Sequence, residues 1–160
     1  MVTAFLAGLG LGSLAGGRIS KRGGTSLLFA FATVEIAIGL YGVISVSLFR
    51  WIANFSAGMS ASATGALTFA LVLIPTFFMG ATLPLLVAYV VNTNRSVGRS
   101  VGQLYFANTA GSALASLMTA AFLMKNLGES KSVAVAAAIN LVVGSSVLLM
   151  WSLEREGGKR

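Results

Sequence analysis

Charged positions in this sequence fall in short clusters separated by long apolar runs. Residues 1–17 carry no charge, residues 23–49 carry only Glu35, and residues 51–94, 100–124 and 132–153 carry none. A helix needs roughly 20 mostly apolar residues to cross the hydrocarbon core of a bilayer, so each interval holds one span. The pattern predicts helices over about 2–17, 26–48, 64–91, 99–123 and 132–153. The expected fold is all-α, a polytopic transmembrane bundle of about five spans forming one domain over 1–160, with no soluble domain. A secretory signal peptide does not explain the pattern, which recurs to the C-terminus and starts without a basic leader. Between helices 2 and 3, segment 51–65 is too polar for a span and is expected at the membrane interface, with Trp51 and Phe55 as anchors.

Helix 3 departs from the simple pattern. About 28 residues exceed the thickness of a bilayer at 1.5 Å per residue, and the segment contains Pro75 and Pro84. Each proline removes a backbone donor, so a kink or local unwinding is expected between them. The freed carbonyls could then face water or a ligand.

Small residues recur at four-residue spacing. Gly8, Gly12 and Gly16 form one face of helix 1; Ser112, Ser116 and Ala120 do the same on helix 4, and Ala136, Asn140 and Gly144 on helix 5. Helices in lipid associate through close backbone approach and interhelical hydrogen bonds, so these faces read as packing seams or as a homo-oligomer interface.

Composition sharpens this reading. The chain is 56% hydrophobic and only 9% charged, with no His and no Cys. A soluble domain carries roughly a quarter of its residues charged. Disulfides, Cys/His metal sites and cysteine nucleophiles are excluded, and neither a metal nor a cofactor is expected. The net charge of +7 fits membrane topology better than nucleic acid, because the basic residues stand between apolar runs. With loop 18–22 inside, that side collects Arg18, Lys21, Arg22, Arg95, Arg99, Arg155, Lys159 and Arg160, and the other side only Arg50, Lys125 and Lys131. A sixth span at 51–69 would give five inside against six outside. Five spans satisfy the positive-inside rule, with the N-terminus outside and the C-terminus in the cytoplasm.

Within the spans, Glu35 stands out near the centre of helix 2. Ionised and alone in hydrocarbon it would be costly, so it is expected to be neutral, paired or facing a polar cavity. That makes it either a proton or cation site or a protonated donor to a neighbouring helix. No basic residue lies at membrane depth to pair with it. Thr76, Thr82, Asn108, Thr109 and Asn140 are the other polar candidates. Soluble-enzyme chemistry is missing: there is no His base, and the Gly-rich stretch 6–12 follows no strand, so it is not a dinucleotide fingerprint.

Four stretches carry a family resemblance. They are Phe5-Leu-Ala-Gly-Leu-Gly-Leu-Gly-Ser-Leu-Ala-Gly-Gly-Arg18, Glu35-Ile-Ala-Ile-Gly-Leu-Tyr-Gly42, Pro75-Thr-Phe-Phe-Met-Gly-Ala-Thr-Leu-Pro-Leu-Leu86 and Val97-Gly-Arg-Ser-Val-Gly-Gln-Leu-Tyr-Phe-Ala-Asn-Thr-Ala-Gly-Ser112. In this order the chain resembles the membrane domain of spermidine-synthase-like (polyamine aminopropyltransferase-like) bacterial proteins. The resemblance implies a domain of the bacterial inner membrane, often followed by a cytoplasmic Rossmann-like domain. Residues 1–160 hold neither that domain nor the span that precedes the first stretch, so the chain is expected to be either a split or truncated gene product or a fragment of a longer one. The expectation is therefore a module without catalytic residues of its own. It would anchor or partner a polyamine-type enzyme, or another membrane subunit, and move a cationic amine. Glu35, Thr76, Thr82, Pro84, Tyr105 and Asn108 are its motif positions. A small transporter or channel subunit, with Glu35 as proton or cation site, and a structural subunit of a membrane complex remain the alternatives.

Overall fold

The computed structural model describes residues 2–21, 26–94 and 96–157. Arg22, Arg95, Lys159 and Arg160 of the topology argument lie outside the described residues. The elements are α1 (Val2–Ser20), α2 (Ser26–Phe55), a 3-10 turn (Ser56–Gly58), α3 (Ala61–Asn94), α4 (Val97–Met118), a π-helical stretch (Thr119–Leu123) and α5 (Met124–Gly157). Among the described residues, four helical stretches are long and apolar enough to cross a membrane: Val2–Ser20, Ser26–Gly58, Ala61–Thr93 and Val97–Glu156.

The four stretches differ from the expected count of about five spans at the fourth of them. No loop separates the expected helices 4 and 5; a helical run of 60 residues covers both. At 1.5 Å per residue such a run is about 90 Å long if straight, three times the hydrocarbon thickness. It is not straight, because Gly128 adopts φ 72 and ψ 179 inside it. That conformation is open essentially to glycine alone, and it redirects the chain without a loop.

Helix α3 brings a second difference. Every residue from Ala61 to Asn94 is helical, so the chain does not unwind between Pro75 and Pro84, and no kink is established there. A proline costs a helix one hydrogen bond and a clash. At Pro75 a neighbour offsets part of that cost, since the Tyr41 hydroxyl donates to the carbonyl of Leu71 at 2.7 Å.

Packing follows the small residues. Gly8, Gly12 and Gly16 are the buried glycines of α1, and a methyl group added at them would meet Thr76, the Phe77 carbonyl and Ala81 respectively. From the other side Gly80 sits against the backbone of Leu9. Helices α1 and α3 therefore touch backbone to backbone. Gly144 seats α5 on α2 in the same way, beside Ile36 and Ala32.

One end of the bundle is held by larger groups. Leu27, Phe31 and Leu85 are buried together, with Tyr89 and Val147 packed against them. Phe29 meets Trp151 with ring centroids 4.9 Å apart, and the Tyr89 hydroxyl donates to Glu154 at 3.0 Å. The start of α2, the end of α3 and the end of α5 thus share one end. At the opposite end Arg50 donates to the Ser130 hydroxyl at 3.1 Å, and Trp51 stacks on Phe55.

Helix α4 stands off the bundle. Apart from Ser100, Leu104 and Ala110, every residue of α4 is exposed. The seam expected at Ser112 and Ser116 is accordingly not formed with another described helix; the Ser112 hydroxyl turns back to the Asn108 carbonyl at 2.7 Å. Exposed Phe106, Leu114, Leu117 and Phe122 are what a helix facing lipid would present.

Candidate functional site: a polar cavity around Glu35

Glu35 lies nine residues into α2, about 14 Å along the helix axis from its start. At that depth residues of all five helices line an open-sided cavity of about 470 Å³, the two from α4 being themselves exposed. Helix α1 contributes Phe5, Leu9 and Ser13, one face at a spacing of four. Helix α3 contributes Gly80, Thr82 and Pro84, α4 contributes Asn108 and Ser112 one turn apart, and α5 contributes Asn140. Polar side chains from all five helices therefore meet in the middle of an otherwise apolar bundle.

The hydrogen bonding divides these groups in two. The hydroxyls of Thr82 and Ser112 donate to carbonyls of their own helices, Met79 and Asn108, at 2.8 and 2.7 Å. The Glu35 carboxyl group and the side-chain amides of Asn108 and Asn140 make no hydrogen bond or ion pair among the described residues. Pro84 adds a further acceptor. It has no N–H, so the carbonyl of Gly80, four residues earlier, loses its helical donor, and Gly80 is on the cavity wall. The wall thus offers a carboxyl group, two amides and a spare carbonyl, with no basic side chain among its lining residues.

Two further cavities follow along α2 and α5. Ile38, Met79 and Asn140 are shared with a cavity of about 330 Å³ that reaches Tyr41, Ser45 and Phe49. Ser45 and Phe49 in turn line another of about 330 Å³ that ends at Arg50 and Glu129. Three cavities with shared lining residues therefore lie in succession along the α2–α5 groove, from Glu35 to the end of the bundle that holds Arg50.

Of the candidates named from sequence, Glu35, Thr82, Pro84, Asn108, Ser112 and Asn140 are gathered here. Thr76 is not: it is buried against Gly8 and donates to the Val72 and Leu73 carbonyls at 2.8 and 3.1 Å. Tyr105 is 62% exposed and lies away from the cavity. Pro75 lines the second cavity, with Tyr41 and Ser45. Ser13 was missed from sequence, because a lone serine on a glycine-rich helix carries no signal until its neighbours are known. Gly8, Gly12, Gly16 and Gly144 serve packing, as described above, and Ser116 is exposed.

In comparisons with known proteins, no family model, no curated protein and no solved structure matches this chain.

Proposed function

We propose that this chain is a membrane-embedded module that binds a small cationic amine at Glu35 and passes it along the α2–α5 groove. One observation carries the reading: Glu35 lines a mostly apolar cavity that also holds Asn108 and Asn140, and its carboxyl group has no partner among the described residues. An intramembrane carboxylate needs a counter-charge or a proton. A cation supplies the charge, and an ammonium group supplies the donors that the Gly80 carbonyl and the two Asn amide oxygens accept. The apolar part of the wall, Phe5, Leu9, Ile38 and Met79, suits the methylene chain of an alkyl amine.

The resemblance to spermidine-synthase-like membrane domains points to the same ligand class, polyamines. On this reading the bundle sits in a bacterial inner membrane and partners a cytoplasmic aminopropyltransferase-like domain. The 60-residue run then makes two crossings with its turn at Gly128, giving five spans, N-terminus outside and C-terminus inside. The described basic groups Arg18, Lys21, Arg99 and Arg155 would face the cytoplasm. A structural-subunit reading is favoured by one feature only, the exposed length of α4.

The test is equilibrium binding of labelled putrescine and spermidine to the full chain in lipid nanodiscs, beside Glu35→Gln. Saturable binding that Glu35→Gln abolishes while the helix content stays unchanged is the expected result. Absence of saturable binding, or equal binding by both proteins, overturns the proposal. Proton flux in liposomes that depends on Glu35 without amine binding would move the assignment to the proton-site alternative.

A further inference from the structure

The start of α4 holds a second polar site, apart from the Glu35 cavity. Ser96 occupies the N-cap position in an extended conformation (φ −118, ψ 96), yet its side chain makes no capping hydrogen bond. At the head of α3, by contrast, the Ser60 hydroxyl accepts the Ala63 amide at 3.4 Å. The first amides of a helix have no partner within it and carry the positive end of the helix dipole. No acidic side chain stands in the first turn of α4 to meet them.

An independent observation concerns Ser100, one turn further on. It is 1% exposed, and its hydroxyl makes no hydrogen bond among the described residues. Other helical serines of this chain donate to a carbonyl of their own helix, as Ser45 does to Gly42 and Ser146 to Val142, at 2.8 and 2.7 Å. The Ser100 hydroxyl does not, although the Ser96 carbonyl, which accepts the Ser100 backbone amide at 3.1 Å, keeps a second lone pair. A buried hydroxyl without a partner is costly and calls for an acceptor.

Ser96, Arg99, Ser100 and Gln103 line one cavity of about 400 Å³. Each can donate, and none is acidic. Arg99 supplies a planar fork that matches an oxyanion, and the uncapped helix end supplies backbone N–H groups. We infer that this cavity binds a phosphate group. It lies just past the end of the α3 span, at the end of the bundle where a lipid headgroup would sit. A phospholipid headgroup and free phosphate share this chemistry, and the experiment separates them.

The full chain is placed in phosphatidylcholine nanodiscs. In one arm phosphatidylglycerol is added, and the lipid retained after transfer to detergent is counted by native mass spectrometry. In the other arm only phosphatidylcholine is present, and labelled inorganic phosphate is measured by equilibrium dialysis. Arg99→Gln should lower binding about tenfold, as loss of a charge-assisted hydrogen bond implies. Ser100→Ala should lower it too, while Arg50→Gln, at the opposite end, should leave it unchanged. Binding in the lipid arm assigns the site to a headgroup, and binding in the phosphate arm alone assigns it to free phosphate. No binding in either arm, or binding indifferent to Arg99→Gln and Ser100→Ala, overturns the inference. Removing an unpartnered hydroxyl should not ease unfolding. If Ser100→Ala unfolds more readily yet binds normally, Ser100 is structural and the inference also falls.

Discussion

The Tyr41 hydroxyl donates to the backbone carbonyl of Leu71 at 2.7 Å, and Leu71 is the residue whose carbonyl Pro75 leaves without a helical donor. The two residues lie on different helices, so a local defect in α3 becomes a bond between α2 and α3. This is how a helix passes through a proline in a medium that supplies no water to the freed carbonyl.

Tyr41→Phe removes that donor and nothing else of size. The expected loss is about 0.5–2 kcal/mol of stability, the range for one hydrogen bond between membrane helices or to a buried carbonyl. Unfolding of the purified chain in mixed micelles measures it. Pro75→Ala restores an N–H to the helix, so Tyr41→Phe should cost less in that background than in the wild type. Additive losses would show that the two residues are not coupled.

Glycine spacing on α1 makes a paired prediction. A methyl group on Gly12 meets the carbonyl of Phe77, which is backbone and cannot swing aside, whereas Gly10 has nothing within 4 Å. Gly12→Ala should separate α1 from α3 and cost about 1–3 kcal/mol. Gly10→Ala should be neutral or stabilising by up to about 1 kcal/mol, because alanine favours helix. Equal effects at the two positions would mean that α1 does not pack through this face.

These examples show what the sequence makes legible. The apolar intervals located α1 and α3 within three residues at each end, because length and absence of charge are themselves the physical requirements for a span, but α2 runs seven residues past its expected end, to Phe55. The four-residue glycine spacing located the α1 seam, whereas the same spacing at Ser112 and Ser116 marks a face that no other described helix covers. Spacing defines a face; only the neighbouring helix decides whether it is covered. Glu35 was visible because a lone acid in an apolar run is costly. Its companion Ser13 was not, since it comes from another helix. Pro75 signalled the freed Leu71 carbonyl, while the pair Pro75 and Pro84 suggested an unwound segment where α3 is helical throughout. The bond from Tyr41, thirty residues away, could not be read from local sequence.

Gly128 was equally hidden. Lys125, Glu129 and Lys131 mark a polar break that suggests a loop, while the chain turns at a single residue with φ 72 and ψ 179. A side chain is strained there. Gly128→Ala should cost about 1–3 kcal/mol or straighten the run between α4 and α5. Spin labels at Val101 and Leu149, compared by pulsed electron resonance, distinguish the wild-type turn from a straightened variant. An unchanged distance together with unchanged stability would show that the turn does not depend on glycine.

The wet character of the Glu35 cavity can be read with thiol chemistry, since the chain has no native cysteine. Ser112 lines the cavity, whereas Leu114, two residues on, is 64% exposed and turned outward. Only an ionised thiol reacts readily with a polar methanethiosulfonate, and a thiol facing hydrocarbon stays neutral. In liposomes Ser112→Cys should therefore be modified many times faster than Leu114→Cys. Putrescine should slow the first reaction without affecting the second, provided the amine occupies the cavity. Rapid modification of Ser112→Cys without protection would leave a hydrated cavity that does not hold the amine. Slow modification at both positions would mean that water does not reach Glu35, and the cavity could then serve neither amine nor proton.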